Sequence, residues 1–544
     1  MTGGIDIVPT RPFDDQRPGT SGLRKKVAEF RRPNYLENFV QSIFDAMGPG
    51  ARGTLVLGGD GRFFNDAAAR TIVRMAAANG FARVVVGRDA LLSTPAVSNL
   101  VRRRGADGGI VLSASHNPGG PGGDFGIKFN NASGAPAPEA VTERIHACSR
   151  ELHRYRIAPD SGIDLSRPGE FGVGDTVVEV VDPVDDYQHA MESLFDFDRL
   201  RDAFAAGHLS ICYDAMHAVT GPYARRILED ALGAPAGSVV NGEPLADFGG
   251  EHPDPNLVHA RVLVERMARA DAPVLGAASD GDGDRNLILG RGFFVSPSDS
   301  LALLAAHAAV IPQFARGLPG VARSMPTSRA VDRVAAALRI DCYETPTGWK
   351  YFGSLLDAGR IALCGEESFG TGADHVREKD GLWTVLAWLT LVESAARPVR
   401  AIVEDHWRAF GRNVYCRHDY EDLDGDAAAA MMRSLAESLP RLAGRQAAGR
   451  IIDAAGEFRY TDPVEQVASG PQGIQVELAG GARIVYRLSG TGTSGATLRV
   501  YLEQYRDDGF TGDAIDANRG LGEAAADIAG IARFTGREQP SART

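Results

Sequence analysis

Residues 53–59 read "GTLVLGG", 65–80 "NDAAARTIVRMAAANG", 82–87 "ARVVVG", 94–105 "TPAVSNLVRRRG" and 108–114 "GGIVLSA". Short, continuously apolar runs alternate with longer segments whose apolar residues recur at three- to four-residue spacing. The runs predict buried strands. The longer segments predict helices, the first capped at Asn65 or Asp66 and stopped at Gly80, the second with Pro95 in its first turn. Strand and helix in strict alternation give βαβαβ, the pattern of a layered α/β domain with a largely parallel sheet.

Outward from there the pattern recurs. "HLSICYDAM" (208–216) and "GPYARRILEDALG" (221–233) read as strand and helix. "PVLGAASDGDGD" (273–284) and "GRIALCGEESFG" (359–370) are again apolar runs that end in carboxylates. Three times, then, a buried strand empties into an acidic or hydroxylic loop. The polar stretch "DPVDDYQHAMESLFDFD" (182–198) reads as a link between units. After Arg397 the character changes, and "ARIVYRLSGTGTSGATLRVYLEQY" (482–505) shows two strand patterns around a glycine loop. Four domains are expected, the last of α+β type, which suits 544 residues at roughly 100–200 per domain.

A net charge of -12 argues against a broad basic surface for nucleic acid, while local arginine and lysine clusters can still serve a small anion. The five cysteines (Cys148, Cys212, Cys342, Cys364, Cys416) are scattered without a CxxC pair and are expected as reduced, buried thiols in a cytoplasmic protein. The first residues lack the basic start and apolar core of a signal peptide. The longest apolar stretch, "LWTVLAWLTLV" (382–392), is shorter than the ~20 residues of a membrane span and reads as a core helix.

Chemistry concentrates in a few loops. In "DGDGDR" (280–285) three carboxylates alternate with glycine, whose freedom lets Asp280, Asp282 and Asp284 converge. At such range they repel unless a divalent cation sits among them. An EF-hand is excluded, because Arg285 stands where its sixth-position glycine belongs and Arg291 where its twelfth-position glutamate belongs. The remaining readings are a solvated acidic turn and a Mg²⁺ site open to a phosphate oxygen. "SASHNPGG" (113–120) sets Ser115 beside His116 at the end of a buried strand. No G-x-S-x-G elbow surrounds it, so a serine hydrolase is disfavoured. What remains is an ordinary turn serine or a serine that carries a phosphoryl group, whose charge calls for Mg²⁺ and nearby cations. "SGTGTSGATLR" (489–499) matches GxGxxG, yet a strand pattern follows where a dinucleotide fold needs a helix. With Arg487 and Arg499 on its flanks it suits a phosphate, or is a plain hairpin turn. "GTSGLRKK" (19–26) combines small residues with three consecutive cations, and "GEESFG" (365–370) sets Glu366 and Ser368 two apart at a strand end.

Taken with "GGDGRFFN" (58–65), "LSTPAVS" (92–98), "PGGDFGIKFN" (121–130), "DAMHAVTGPY" (214–223), "FGGEHPDPNL" (248–257), "SMPTSRAVDRVA" (324–335), "ETPTGWKYFG" (344–353) and "CGEESFGTGADHVREKDGLW" (364–383), these loops resemble the α-D-phosphohexomutase superfamily along nearly the whole chain. Within it they are most similar to the long, α-D-glucose-specific phosphoglucomutase branch. The resemblance implies three related α/β domains with mixed, mostly parallel sheets and a smaller C-terminal α+β domain around a central cleft. Their bounds are expected at 1–190, 191–295, 296–403 and 404–544. It implies reversible exchange of glucose 1-phosphate and glucose 6-phosphate, with glucose 1,6-bisphosphate as intermediate and activator. Ser115 would be the phosphoserine, and Asp280, Asp282 and Asp284 would hold Mg²⁺ with a phosphoserine oxygen. Arg24 and Lys128 would lie by the phosphoryl group, Lys128 as general base with His116 beside it. Arg285 and Lys379 are further substrate-binding positions. Thr347 and Gly348 fall in the sugar-recognition loop, and Glu366 and Ser368 on sugar hydroxyls. Arg487, Ser489, Thr491 and Arg499 would clamp the non-reacting phosphate. Small sugar phosphates are the only partners implied, with neither nucleic acid nor membrane. Relatives that act on mannose or glucosamine phosphates, and a non-catalytic relative, are the alternatives; "GEESFG" and "TPTGWK" argue for glucose, and the intact Ser115, triple aspartate and Lys128 for catalysis. "SAS" stands where threonine often precedes the Ala-Ser-His core, and the last loop varies its small residues.

Overall fold

The computed structural model of the chain describes residues 4–48, 50–160, 162–490 and 495–544. They gather in two compact units, residues 1–321 with 348–400 and residues 322–347 with 401–544.

The opening stretch of the first unit folds as its periodicity requires. Strands β1 (Leu23–Lys26), β2 (Thr54–Gly59), β3 (Arg83–Leu91), β4 (Gly108–Leu112), β5 (Asp124–Asn130), β6 (Gly169–Val173) and β7 (Thr176–Val181) form one sheet of order β1-β5-β4-β2-β3-β7-β6. The four inner strands β4, β2, β3 and β7 run parallel. The flanking pairs β1–β5, β5–β4 and β7–β6 are antiparallel. Helices α1 (Asn65–Ala78) and α2 (Thr94–Arg104) connect the inner strands. Both faces of the sheet are covered, which is why the inner strands read as unbroken apolar runs. Leu55, Leu57, Val84, Val86, Ile110 and Leu112 join one core with Ile72 and Val73 of α1, while Val56, Val85 and Val111 between them are buried on the other face.

The helix ends differ from expectation at one point. Ser93 caps α2 by accepting from the Ala96 amide at 3.3 Å, and left-handed Gly105 ends it. Neither Asn65 nor Asp66 caps α1; left-handed Phe64 precedes it, and the Asn65 side chain donates through Nδ2 to the Ala90 carbonyl at 3.1 Å instead.

The second sheet runs β9-β8-β10-β11-β12, from β8 (Ile211–Asp214), β9 (Val239–Val240), β10 (Leu275–Ala278), β11 (Leu287–Gly290) and β12 (Phe293–Val295). Its β9–β8 and β8–β10 pairs are parallel and the rest antiparallel. The segment read as one helix at 221–233 is an α-turn, Thr220–Ala224, continued by a π-helix, Arg225–Ala231. The stretch read as a polar link folds into helices Asp185–Leu194 and Phe197–Ala205, with Tyr187 and Met191 buried. Strands β13 (Leu363–Glu366) and β14 (Gly370–Ala373) pair antiparallel around the "GEESFG" turn. Helix α3 (Gly381–Ala395) is buried without a break from Gly381 to Val392, as expected of a core helix. Among the described residues no helix is long and apolar enough to cross a membrane.

In the second unit β15 (Arg412–Leu423), β16 (Arg450–Glu457), β17 (Ile474–Leu478), β18 (Ala482–Gly490) and β19 (Ala496–Arg506) form an antiparallel sheet of order β16-β17-β18-β19-β15. Buried Arg483 donates to Glu503 at 2.7 Å and to the Thr327 carbonyl at 2.9 Å, tying residues 322–347 to this sheet. The five cysteines are unpaired; Cys212, Cys364 and Cys416 are buried, whereas Cys148 and Cys342 are only partly so.

Candidate active site and metal centre

Where β4 ends, the chain turns at Ser115, whose φ of 53° is left-handed and strained for a residue with a Cβ. The Ser113 hydroxyl accepts from the Ser115 amide at 2.7 Å and holds this turn. The Ser115 hydroxyl then donates to Asp280 Oδ2 at 2.7 Å, with His116 Nδ1 3.4 Å away. A serine and a carboxylate 165 positions apart thus meet where β4 and β10 both end. Gly281 makes the approach possible, since a Cβ there would lie 2.4 Å from the Ser115 carbonyl oxygen. Of the two glycines in "DGDGD" only Gly283, at φ 78°, uses the left-handed region. The other is needed for closeness, not for its conformation.

The three aspartates converge as their spacing suggests. One oxygen from each lies within 4.8 Å of the others, and all three side chains are buried. Asp280 Oδ1 accepts from the amides of Asp284 and Arg285, both at 3.0 Å. Asp282 Oδ2 accepts from the Thr94 hydroxyl at 2.6 Å and from the Lys128 ammonium. Asp282 Oδ1 and Asp284 Oδ1 are buried with no hydrogen-bond donor. Buried anionic oxygens without donors are costly. A hard divalent cation is what such an oxygen set accommodates, so these residues fit a divalent metal site. Burial, with Asp284 and Asp282 beside it, holds the Asp280 carboxyl well above the usual carboxylate range. Burial presses the same way on Asp282, but Lys128 and Thr94 outweigh it and keep that carboxyl below the range. Burial likewise works against the Lys128 charge, and Asp282 and Asp284 reverse it, so the ammonium is reinforced.

Other cations surround this centre. Arg24 on β1 stands opposite Gly126 of β5, half-buried, with its buried Nε unpartnered. Burial lowers its affinity for the proton. Arg285 Nη1 lies 3.4 Å from Asp254, and its buried Nε has no hydrogen-bond acceptor. Lys379 Nζ is 3.4 Å from Asp284 Oδ2. Glu378 is buried beside Lys379 and accepts from Asn130 at 3.0 Å; burial pushes its carboxyl up to about 7.

The "GEESFG" turn is stitched to the same place. The Phe369 carbonyl accepts from the Asn286 amide at 2.8 Å, and Arg285 bridges to Gly370. Glu366, buried at the end of β13, accepts from the Gly348 amide at 2.9 Å through Oε1. Ser368 is half-buried two residues on. The first unit therefore brings together Ser115, His116, Lys128, Arg24, the three aspartates, Arg285 and Lys379, with Glu366 and Gly348 paired beside the turn that Arg285 bridges and Ser368 on that turn.

Thr347 belongs to the second unit, its buried hydroxyl lacking a partner. There β18 and β19 set Arg487 directly opposite Arg499, and Ser489 opposite Thr497. Asp419 of β15 is in register with Arg499 and 3.9 Å from it, and buried Arg499 Nε has no acceptor. Two guanidiniums on one face of adjacent strands suit a dianionic phosphate. Strand β19 follows the glycine loop, as the exclusion of a dinucleotide fold required. Thr491 lies outside the described residues.

Three contributors went unassigned in the sequence: Thr94, whose hydroxyl holds Asp282; Asp254, beside Arg285; and Arg62, which donates to the Ser115 carbonyl at 2.6 Å. Each lies in a quoted motif, but only the fold shows what it touches.

Four family models match in order along the chain. These are phosphoglucomutase/phosphomannomutase alpha/beta/alpha domains I (15–156), II (185–292) and III (297–410), then the phosphoglucomutase-1 C-terminal domain (412–541). A phosphoglucomutase of Rhizobium radiobacter is 53% identical over 99% of this chain and 100% of its own. Human phosphoglucomutase-1 is 50% identical over 93% of each chain. The crystal structure of the Paramecium phosphoprotein parafusin, a phosphoglucomutase in its open form, superposes with a TM-score of 0.92 at 46% identity and covers 99% of both chains. A chain matched over most of its length by these domain models, and about half identical to such relatives over almost all of it, belongs to the phosphoglucomutase/phosphomannomutase family, on its phosphoglucomutase side.

Proposed function

We propose that the chain interconverts α-D-glucose 1-phosphate and D-glucose 6-phosphate through a phosphoserine at Ser115 and a glucose 1,6-bisphosphate intermediate. The observation that carries this reading is the Ser115 hydroxyl, 2.7 Å from Asp280, beside a carboxylate cluster whose inner oxygens lack donors.

Phosphoryl transfer is mainly positioning and charge neutralisation. Asp280, Asp282 and Asp284 would hold Mg²⁺ together with a phosphoserine oxygen. When bound, the ion supplies positive charge to the transferring group and engages the carboxylates that otherwise hold the Lys128 ammonium. Arg24 brings a further guanidinium, its Nε otherwise unpartnered, to the phosphoryl oxygens. The sugar hydroxyl attacks phosphorus, the bond from phosphorus to Ser115 Oγ breaks, and the hydroxyl proton passes through Lys128, deprotonated once its carboxylate partners are engaged elsewhere, to the departing Ser115 Oγ, beside which His116 lies. The bisphosphate then turns over. Its other phosphoryl group passes to Ser115 Oγ, the serine proton goes by the same groups to the sugar oxygen that loses it, and the product sugar keeps the phosphate it first received. Glu366 and Ser368 bind adjacent sugar hydroxyls in both orientations, and Thr347 and Gly348 belong to the sugar-recognition loop. Arg285 and Lys379 bind the substrate near the metal, and Arg487, Ser489, Thr491 and Arg499 hold the phosphate that is not reacting.

Domain bounds of 1–190, 191–295, 296–403 and 404–544 belong to this reading, as does a cytoplasmic location, supported by five unpaired cysteines. A coupled assay tests it. Glucose 1-phosphate should be converted far faster than mannose 1-phosphate, glucose 1,6-bisphosphate should prime the reaction, and exhaustive chelation should abolish it. Full activity after chelation would overturn the assignment. Intact-mass analysis should show a phosphate that Ser115→Ala lacks.

A further inference from the structure

We propose that Arg62 is the positioning residue of the phosphoryl-carrying loop: its buried guanidinium clasps the main chain at both ends of residues 115–124 and so aims the Ser115 hydroxyl at Asp280. The inference rests on Ser115 as the phosphoryl carrier.

The Arg62 side chain is fully buried, as is that of its carboxylate partner Asp60. Its Nε donates to both Asp60 oxygens, at 3.0 and 2.9 Å, which fixes the plane of the guanidinium. The two terminal nitrogens go elsewhere. Nη2 donates to the Ser115 carbonyl at 2.6 Å. Nη1 donates to the Asp124 carbonyl at 2.9 Å, with the Asn117 carbonyl at 3.5 Å. The Phe248 ring lies 5.2 Å from the guanidinium carbon. One rigid fork thus binds the loop where it leaves β4 and where it enters β5.

An ion pair that only filled the core would need Asp60 alone. Here the donors satisfy carbonyls of the very loop whose serine adopts a left-handed backbone. The Ser115 carbonyl is also the atom that Gly281 crowds, and Arg62 Nη2 would lie 3.4 Å from a Cβ at position 281. Arg62 therefore sets how the serine loop sits against the aspartate loop, without touching a reacting atom. Lysine keeps the charge but lacks the planar fork, so it cannot hold both carbonyls and Asp60 together.

The test compares wild type with Arg62→Lys and with Asp60→Asn/Arg62→Met, which removes the pair without leaving a bare buried charge. Circular dichroism selects the folded variants. In wild type, phosphate on Ser115 is first verified by intact mass; its absence would remove the reading beneath this proposal rather than the proposal's own step. Single-turnover transfer from phosphoenzyme to glucose 1-phosphate should then fall about 10²-fold in either folded variant, the loss expected when reacting groups are misplaced by about 1 Å. KM should stay within about twofold, and calorimetric Mn²⁺ affinity within about threefold, because the aspartates are untouched. A folded variant with transfer within threefold of wild type would overturn the proposal. So would Mn²⁺ affinity falling in step with the rate, since that is the mark of a site that has merely come apart.

Discussion

The two oxygens of Asp282 have opposite surroundings. One accepts from Thr94 and Lys128, and the other is buried with nothing to accept from. An amide at this position keeps the shape and loses the charge that both roles need. We expect Asp282→Asn to weaken Mn²⁺ binding at least tenfold and to lower turnover with it, while far-ultraviolet circular dichroism stays unchanged. Calorimetric titration with the metal checks this, and unchanged affinity would reduce the cluster to an acidic turn. Glu366 shows a related economy of atoms. Its Oε1 is already occupied by the Gly348 amide, so this carboxylate shapes the loop that leads from Gly348, and only Oε2 is left for the sugar hydroxyl proposed for it.

Among elements, the decisive contact is between two loop backbones, one at the end of β4 and one at the end of β10. Gly281→Ala would place a methyl group 2.4 Å from the Ser115 carbonyl, and the loops would have to part. Single-turnover transfer should drop about 10²-fold, with Mn²⁺ binding largely retained. An unaffected rate would show that the loops tolerate separation. The alternation of strands and helices was legible because burial on two faces leaves a plain apolar run, as in β3, where Val84, Val85 and Val86 are all buried. The convergence of Asp280, Asp282 and Asp284 was legible too, because their spacing is local. Strand β5 was not, since its sequence follows Pro-Gly-Gly and carries a further glycine; that glycine, at 126, is there because a Cβ would lie 2.2 Å from the Ser113 carbonyl. The role of Arg62 was equally hidden, since its partners are main-chain carbonyls more than fifty positions away and carbonyls leave no mark in a sequence.

For the whole molecule, two units mean that unfolding need not be a single transition, so stability is best followed unit by unit. His418 on β15 belongs to the second unit; its Nε2 is buried without a partner. Burial, with Arg543 adding to it, lowers its pKa from the ordinary 6.5 to about 4. The folded state keeps this ring neutral where the unfolded chain takes up a proton. The contribution is therefore complete above pH 6.5 and is lost as pH falls from there toward 4. Between pH 7 and 5 the second unit should lose about 1 kcal/mol from this group after solvent screening, and His418→Leu should remove that share. Hydrogen exchange of β15 peptides at the two pH values, corrected for intrinsic rates, measures it; an identical pH dependence in the variant would refute the assignment.

Helix α3 has one more consequence, for synthesis on the ribosome. Its Trp383 packs against Phe195 and Phe314, and its Trp388 indole donates to Ser300 at 2.8 Å. All of those partners are made earlier. At bacterial or eukaryotic elongation speeds, Phe195 waits roughly 10–40 s before Trp383 is added. The socket for Trp383 is complete only once Phe314 is made, and until α3 follows it nothing of that helix covers Phe195 or Phe314; a ribosome that stalls between Phe314 and α3 leaves a fragment in which both rings lack their tryptophan.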